Sequence, residues 1–354
     1  FQWDTQENPM MTTANRAQTT EIGSLPHHNV DAALAYCFKL GIPFLPQIPI
    51  RNPWENMVAQ ALEGIPGLQV EKDGSVLVNI DIWNSRAASL NAKLQRAFAE
   101  LPSVLDAFES FEPSPMASSC WQPWIWELQE RKIKQAKVQI CGPMTAQWAL
   151  RLNDGTPIDA HLDLTNQVFK LILARSLAMT RKLRSMGVQP ILFLDEPGLY
   201  GLGDNPKHVL GMQELRNIVQ TLQKEKVLVG IHCCSNTDWN QVLNLEPTYL
   251  SIDTELSLEN LLSKSYEKPV DVFFKKGGRL ALGIIPSTHS AVLHSLNQKE
   301  LYSHIETLLK NRWPNDVSLV SQLLESALFT PACGLALHSV DDAETILSSL
   351  TTQT

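Results

Sequence analysis

Eight short apolar segments, each followed by a turn and a helical pattern, constrain the fold of this chain more than any other feature. Most of them are rich in β-branched and aliphatic residues and are apolar on both faces, which is typical of parallel strands covered on both sides. Strands that alternate with helices form right-handed βαβ units. The predicted strands are residues 19–25, 44–49, 137–141, 191–195, 227–232, 249–253, 279–285 and 329–334.

Eight such units predict an α/β fold of the (β/α)8 TIM-barrel type rather than an open doubly wound sheet. The 354 residues fit one barrel, since barrels of this kind run from about 200 to more than 400 residues. A Gly-x-Gly-x-x-Gly motif after a strand is absent from the sequence, which argues against dinucleotide binding. We expect residues 17–354 to form a single catalytic domain and residues 1–16 to be disordered or left over from cloning.

The connection between the second and third predicted strands is too long for a simple crossover. Residues 50–136 contain a predicted hairpin at 68–83, which turns at Asp73-Gly74, and a predicted helix at 85–109. A tryptophan-rich stretch follows, with Trp121, Trp124 and Trp126. We interpret the connection as an insertion over the barrel mouth that the tryptophans anchor to the barrel.

Composition and charge exclude several classes of function. The net charge of −8 disfavours a nucleic-acid partner, because phosphate binding needs a basic surface. The sequence has neither an apolar run long enough to cross a membrane nor a secretory pattern at residue 1, so we expect a cytoplasmic protein. The six cysteines are therefore expected to be thiols or metal ligands rather than disulfides.

Reactive side chains fall at the C-terminal ends of the predicted strands. In a barrel these ends converge on one mouth, where active sites are built. Packing alone does not explain so many polar groups at strand ends. The residues are Ser24, Asp195, His232, Cys234, Asp253 and Cys333.

Four of these residues make a candidate zinc site. His232 and Cys234 are two positions apart, so they point to the same side of an extended chain, whereas Cys233 points away and is assigned to packing. Cys333 ends the eighth predicted strand and Asp253 ends the sixth. One histidine, two cysteines and a carboxylate suit tetrahedral zinc. Glu255 is the alternative carboxylate.

In addition to the zinc set, three further motifs occur in one order along the chain. They are Ile22-Gly23-Ser24, the Gly142-Pro143-Met144-Thr145 turn, and Asp195-Glu196-Pro197. Together with His232-x-Cys234 and the late Cys333-Gly334-Leu335, this set resembles the catalytic barrel of the cobalamin-independent methionine synthase family. The resemblance extends from about residue 20 to residue 338.

The resemblance implies a zinc-dependent methyltransferase that acts on the thiol of homocysteine and forms methionine. It implies that zinc is bound by His232, Cys234, Asp253 and Cys333. It further implies that Asp195 binds the amino group of the substrate, that Ile22, Gly23 and Ser24 contact the substrate, and that His289 is the candidate proton donor.

Several departures from the family pattern matter. Asp253 stands where the family has glutamate, Arg51 lies near a position where the family has an acidic substrate contact, and His289 is not cleanly aligned. The chain has room for only one of the two barrels of the full-length enzyme. We therefore expect a short core form whose methyl donor is a methylcorrinoid such as methylcobalamin, free or carried by a corrinoid protein, rather than methyl-folate.

Two other functions remain open from the sequence. Corrinoid-dependent methyltransferases that act on coenzyme M are similar barrels that also carry His-x-Cys and a late cysteine. The Asp-Glu-Pro and Ile-Gly-Ser motifs favour an amino-acid thiol instead. A barrel with a purely structural zinc ion is the non-enzymatic alternative.

Overall fold

A curled parallel sheet forms the centre of the computed structural model, which describes residues 18–99, 105–202, 208–286 and 298–351. The strands of these ranges are β1 (Leu68–Val70), β2 (Val76–Val78), β3 (Gln135–Cys141), β4 (Arg151–Leu152), β5 (Gln189–Asp195), β6 (Leu228–Cys233), β7 (Tyr249–Asp253), β8 (Arg279–Ile285) and β9 (Leu328–Pro331). Six of them pair in parallel in the order β3-β5-β6-β7-β8-β9. The class is therefore α/β, with a half-barrel that is consistent with a TIM-like barrel.

Helices cover the outer face of this sheet, because their apolar residues share one core with every second residue of the strands. In the described ranges they are α1 (Val30–Cys37), α2 (Met57–Leu62), α3 (Ile80–Ala99), α4 (Trp121–Glu130), α5 (Pro143–Ala149), α6 (Leu162–Ser185), α7 (His208–Lys224), α8 (Trp239–Leu243), α9 (Thr254–Leu261), α10 (Glu267–Lys275), α11 (Gln298–Arg312), α12 (Val317–Ser326) and α13 (Val340–Thr351).

The first two predicted strands are not regular strands. Residues 19–25 and 44–49 form isolated parallel bridges, from Thr19 to Phe329 of β9, from Ser24 to Gln47, and from Phe44 to Lys137 of β3. Prolines at positions 43, 46 and 49 explain the interruption of the second segment, because proline has no N–H to donate to a ladder. The two segments nevertheless lie between the two edge strands of the six-stranded sheet.

A small apolar cluster lines the concave face of the sheet. It contains Ile191 and Phe193 of β5, together with residues 42, 249, 281 and 328. Side chains alternate along a strand, so Asp195 shares this face with Ile191 and Phe193 but lies nearer the C-terminal edge. The apolar cluster therefore forms the floor beneath the strand ends that carry the predicted site.

The long connection contains the predicted hairpin, in which β1 pairs with β2 in antiparallel register. Helix α3 begins at Ile80 rather than at residue 85, and it packs on α6, where the Trp83 Nε1–H donates to Gln167 Oε1 at 3.0 Å. Trp121 and Trp124 are buried, as expected for anchors, whereas Trp126 is 58% exposed and does not anchor the connection. The placement of this connection over the barrel mouth stays a prediction.

Residues 1–16, which were predicted to be disordered or left over from cloning, lie outside the described residues, so the domain limits also stay a prediction. In the part of the chain that the structure describes, no helix has both the length and the apolar character needed to cross a membrane.

Candidate active site

Three of the four predicted metal ligands lie together at the C-terminal edge of the sheet. His232 is near the end of β6, Cys234 follows that strand, and Cys333 follows β9. Their ligand atoms all lie within 4.8 Å of one another. A tetrahedral zinc ion bonded at about 2.0–2.3 Å keeps its ligand atoms roughly 3.3–3.8 Å apart. The three side chains are therefore close enough to share one metal ion.

The orientation of the His232 ring fits a metal ligand. Its Nδ1 lies 2.9 Å from the Oγ of Ser251, which is directly opposite on β7. Its Nε2 is buried and has no hydrogen-bond partner within the described residues. A ring nitrogen fixed by a neighbouring polar group leaves the other nitrogen free to bind a metal.

The pKa values of the two thiols of the cluster are shifted in opposite directions. The neighbouring Cys333 thiol and His232 ring lower the pKa of the Cys234 thiol well below its usual range. The neighbouring Cys234 thiolate, together with burial, raises the pKa of Cys333. The lowered pKa favours the thiolate, which is the form in which cysteine binds metals. Cys233 faces elsewhere, with its Sγ 3.2 Å from the carbonyl of Ser235.

The remaining predicted residues of the metal and proton-donor set are placed differently. Asp253 lies outside the group of three, and its Oδ1 accepts the N–H of Leu256 at 3.1 Å, which caps α9. Glu255 is exposed on the first turn of that helix. His289 falls in residues 287–297, outside the described part of the chain.

Asp195 ends β5 and faces the metal cluster. It lies in register with His232 on one side and with Cys141 on the other. Its side chain is buried, and its Oδ1 has no hydrogen-bond partner in the described ranges. Burial raises the pKa of Asp195 to about 6, and the nearby charges of His232 and Lys137 partly oppose this rise. The side chain therefore has an unused oxygen beside the strand end that carries His232.

Glu196 connects two of the sequence motifs. Its carboxylate accepts the main-chain N–H groups of Met144 and Thr145 at 3.0 and 2.7 Å, and the Thr145 hydroxyl at 2.7 Å. Burial raises the pKa of Glu196 to about 7. A Cβ at Gly142 would lie 2.2 Å from this carboxylate, so the turn needs glycine there. Glu196 thereby holds the Gly-Pro-Met-Thr turn against the strand end that carries Asp195.

The Ile22-Gly23-Ser24 segment lies against the loop of Cys333. The N–H of Leu335 donates to the carbonyl of Ser24 at 2.7 Å, and a Cβ at Gly334 would meet the Ser24 Oγ at 2.2 Å. Gly23 has a φ of +154°, and a Cβ there would lie 2.5 Å from the side chain of Gln139. The predicted substrate segment and the metal cluster are therefore adjacent.

Four polar residues at this end of the sheet were missed by the sequence analysis. They are Glu21, Lys137, Gln139 and Ser251, all of which are buried. The available signal was the pattern of residues 137–141, where lysine and glutamine alternate with valine and isoleucine in a strand expected to be apolar on both faces. Buried polar residues on the concave face of the sheet need partners, which sequence spacing does not reveal.

Comparison with known proteins supports the fold. Neither a family model nor a curated protein matches the sequence. A methyltransferase from Methanosarcina mazei superposes with a TM-score of 0.52 at 12% identity, over 96% of this chain and 93% of that chain. At such low identity the likeness shows a shared fold alone.

A second solved structure resembles the chain more distantly. It is a B12-independent methionine synthase from Shewanella sp. W3-18-1 in complex with selenomethionine, with a TM-score of 0.41 at 15% identity. The match covers 64% of each chain, so this chain spans less than two thirds of that protein.

Proposed function

We propose that this protein is a zinc-dependent methyltransferase on a closed (β/α)8 barrel, which methylates the thiol of homocysteine and forms methionine. The proposal rests mainly on one observation: His232, Cys234 and Cys333 lie close together at the strand ends, and Asp195 is in register with His232. A nitrogen and two sulfur ligands with an open fourth position are typical of catalytic zinc.

The chemistry of a thiol acceptor explains the use of such a site. A free thiol has a pKa of about 8.5 and is mostly protonated at neutral pH. Zinc held by these three residues would supply the positive charge that favours the thiolate form of the acceptor. A closed structural site is less well supported, because among the described residues the cluster offers three ligands rather than four.

The neighbouring residues suit the amino-acid part of homocysteine. The free Oδ1 of Asp195 can accept a hydrogen bond from the substrate ammonium group. We assign the substrate carboxylate to the Ile22-Gly23-Ser24 segment, which lies next to the Cys333 loop. Asp253 or Glu255 remains the proposed carboxylate ligand, which would hold the fourth position only until the acceptor thiol replaces it. His289 remains the proposed proton donor.

We propose a methylcorrinoid, free or bound to a corrinoid protein, as the methyl donor. The sulfur lone pair of the acceptor would form the new S–CH3 bond as the cobalt–carbon bond breaks and its electron pair stays on cobalt. The proposal places the reaction in the cytoplasm, since the reduced thiols of the site need a reducing compartment.

Methyl transfer from methylcobalamin to homocysteine is the test. The zinc-loaded protein should form methionine while the cobalamin spectrum changes to that of the demethylated cofactor, and protein stripped of metal by a chelator should not. Transfer to 2-mercaptoethanesulfonate but not to homocysteine would contradict the proposed acceptor. Zinc-loaded protein that binds neither thiol would contradict the proposed class of reaction.

A further inference from the structure

A lysine lies fully buried in the interior, below the strand ends that carry the site. Lys137 is 0% exposed on β3, on the same face as Gln139 and in register with Ile191 of the apolar cluster. Its Nζ is 4.8 Å from the centroid of the Phe193 ring. Taking an ammonium group out of water costs several kcal/mol unless partners compensate. A lysine at such a position therefore needs a role that an apolar residue cannot fill.

The hydrogen bonds of Lys137 point to the proposed substrate segment. Its Nζ donates to the carbonyl of Ile22 at 2.7 Å and to Oε1 of Gln139 at 3.0 Å. The amide of Gln139 in turn donates to the carbonyl of Leu45 at 2.6 Å. A local hydrogen bond also stabilises the conformation of this segment, because the N–H of Gly23 donates to the carboxyl group of Glu21. The ammonium group thus ties the main chain at Ile22 to β3.

The charge of Lys137 acts on Asp195, the residue proposed to bind the substrate ammonium group. Burial lowers the pKa of Lys137 to about 8, and the carboxyl groups of Asp195 and Glu21 oppose this change. Burial raises the pKa of Glu21 to about 8 and that of Asp195 to about 6, so Asp195 is the more acidic of the two carboxyl groups. Lys137 is therefore hydrogen-bonded to one side of the amino-acid subsite, and its charge acts on Asp195 at the other side.

We propose that Lys137 is a positioning residue that joins the two halves of the amino-acid subsite, holding Ile22 through its carbonyl and balancing the charge of Asp195. The inference rests on the proposed function. Its consequence is selective: loss of Lys137 should weaken recognition of the amino-acid head of the acceptor without affecting the metal cluster or the binding of a simple thiol.

The test uses cobalt-substituted protein, in which thiol binding is followed by the cobalt–thiolate absorption. Lys137→Met keeps the apolar stem and removes the ammonium group. We expect its dissociation constant for homocysteine to rise about 10- to 100-fold, the range of a lost charged hydrogen bond. The dissociation constant for 2-mercaptoethanol and the metal content should stay as in the wild type.

Arg175→Met is the matched control, because Arg175 of α6 is also a buried cation. It pairs with Glu63, outside the cluster. The substitution should lower stability without changing the ratio of the two dissociation constants. If Lys137→Met does not fold, the double variant Glu21→Gln/Lys137→Met removes a buried carboxyl group with the cation and should show the same selective loss.

The outcomes separate the two proposals. If the wild type binds homocysteine and the Lys137 variants keep the wild-type ratio of the two dissociation constants, only the positioning role is overturned. Equal weakening of both thiols or loss of metal in those variants also overturns it, because the effect would then be general. Wild-type protein that binds homocysteine no better than 2-mercaptoethanol overturns the amino-acid subsite, and the positioning role with it.

Discussion

The Oγ of Ser251 lies 2.9 Å from Nδ1 of His232, directly across from it on the neighbouring strand. This contact fixes the imidazole ring so that Nε2, which is buried and without a partner among the described residues, is the nitrogen available to a metal. The strand register thus places the orienting group, since adjacent parallel strands bring these two side chains to the same face.

Removal of this contact should weaken metal binding without abolishing it. Ser251→Ala frees the ring to rotate, and groups that orient a ligand typically contribute about 10- to 100-fold to metal affinity. Competition with a chromophoric zinc chelator measures the change. Ser257→Ala is the control, because Ser257 is equally buried but its hydroxyl has no partner in the described part of the chain. Equal zinc affinities in the two variants would contradict the orienting role.

Loss of a cysteine of the cluster should have a larger effect. Cys333→Ser replaces a soft thiolate by a hydroxyl group, which is a poor zinc ligand, so we expect a loss of more than about 100-fold in zinc affinity together with activity. Cys233→Ser removes a buried thiol that faces away from the cluster. It should retain zinc. Metal analysis after dialysis distinguishes them, and stoichiometric zinc in Cys333→Ser would remove that residue from the ligand set.

Asp195→Asn should separate substrate binding from metal binding. The substitution keeps the shape of the side chain but removes the negative charge proposed to bind the substrate ammonium, so homocysteine should bind roughly 10-fold or more weakly while zinc stays bound. Calorimetric titration with homocysteine measures the change. Asp73→Asn, in the turn between β1 and β2, serves as the control. Identical homocysteine affinity in Asp195→Asn would refute the assigned role.

The buried carboxyl of Glu21 should make stability fall as pH rises. Its pKa is raised from 4.5 to about 8 by burial, so the folded state holds this proton more tightly than the unfolded state. The contribution of this group to the free energy of unfolding is fully present below pH 4.5. It decreases as the pH rises from 4.5 to about 8. Glu21→Gln should reduce that loss by an amount on the order of a few kcal/mol.

Urea unfolding across this pH window checks the prediction. Glu71→Gln, at an exposed carboxyl group, is the control and should leave the slope of stability against pH as it is in the wild type. A Glu21→Gln variant whose stability falls as steeply as that of the wild type would contradict the raised pKa.

Most of the strands could be predicted from the sequence. Residues 191–195, 249–253 and 279–285 are apolar runs bounded by turns, and each lies within or coincides with an observed strand. The segment at 44–49 was predicted with equal reason, yet it forms only isolated bridges. Its prolines were visible in the sequence. The apolar pattern, however, does not indicate which N–H groups must donate hydrogen bonds to a neighbouring strand.

Local sequence also determined the metal cluster in outline. His232 and Cys234 are two residues apart on one strand end, so their proximity follows from backbone geometry. The position of Cys333 beside them followed only from the expectation that strand ends converge. Asp253 shows the limit of this argument, because a carboxylate at a strand end can equally cap the next helix, as it does here.

Only the tertiary structure decided which groups surround the cluster. Lys137 contacts the carbonyl of Ile22 across 115 positions of sequence, and Glu196 binds a turn more than 50 positions before it. The sequence by itself determined the alternation of strands and helices, because that depends on the periodicity of neighbouring residues. Partners for buried polar groups depend on which distant segments the curled sheet brings together, and local periodicity carries no information about them.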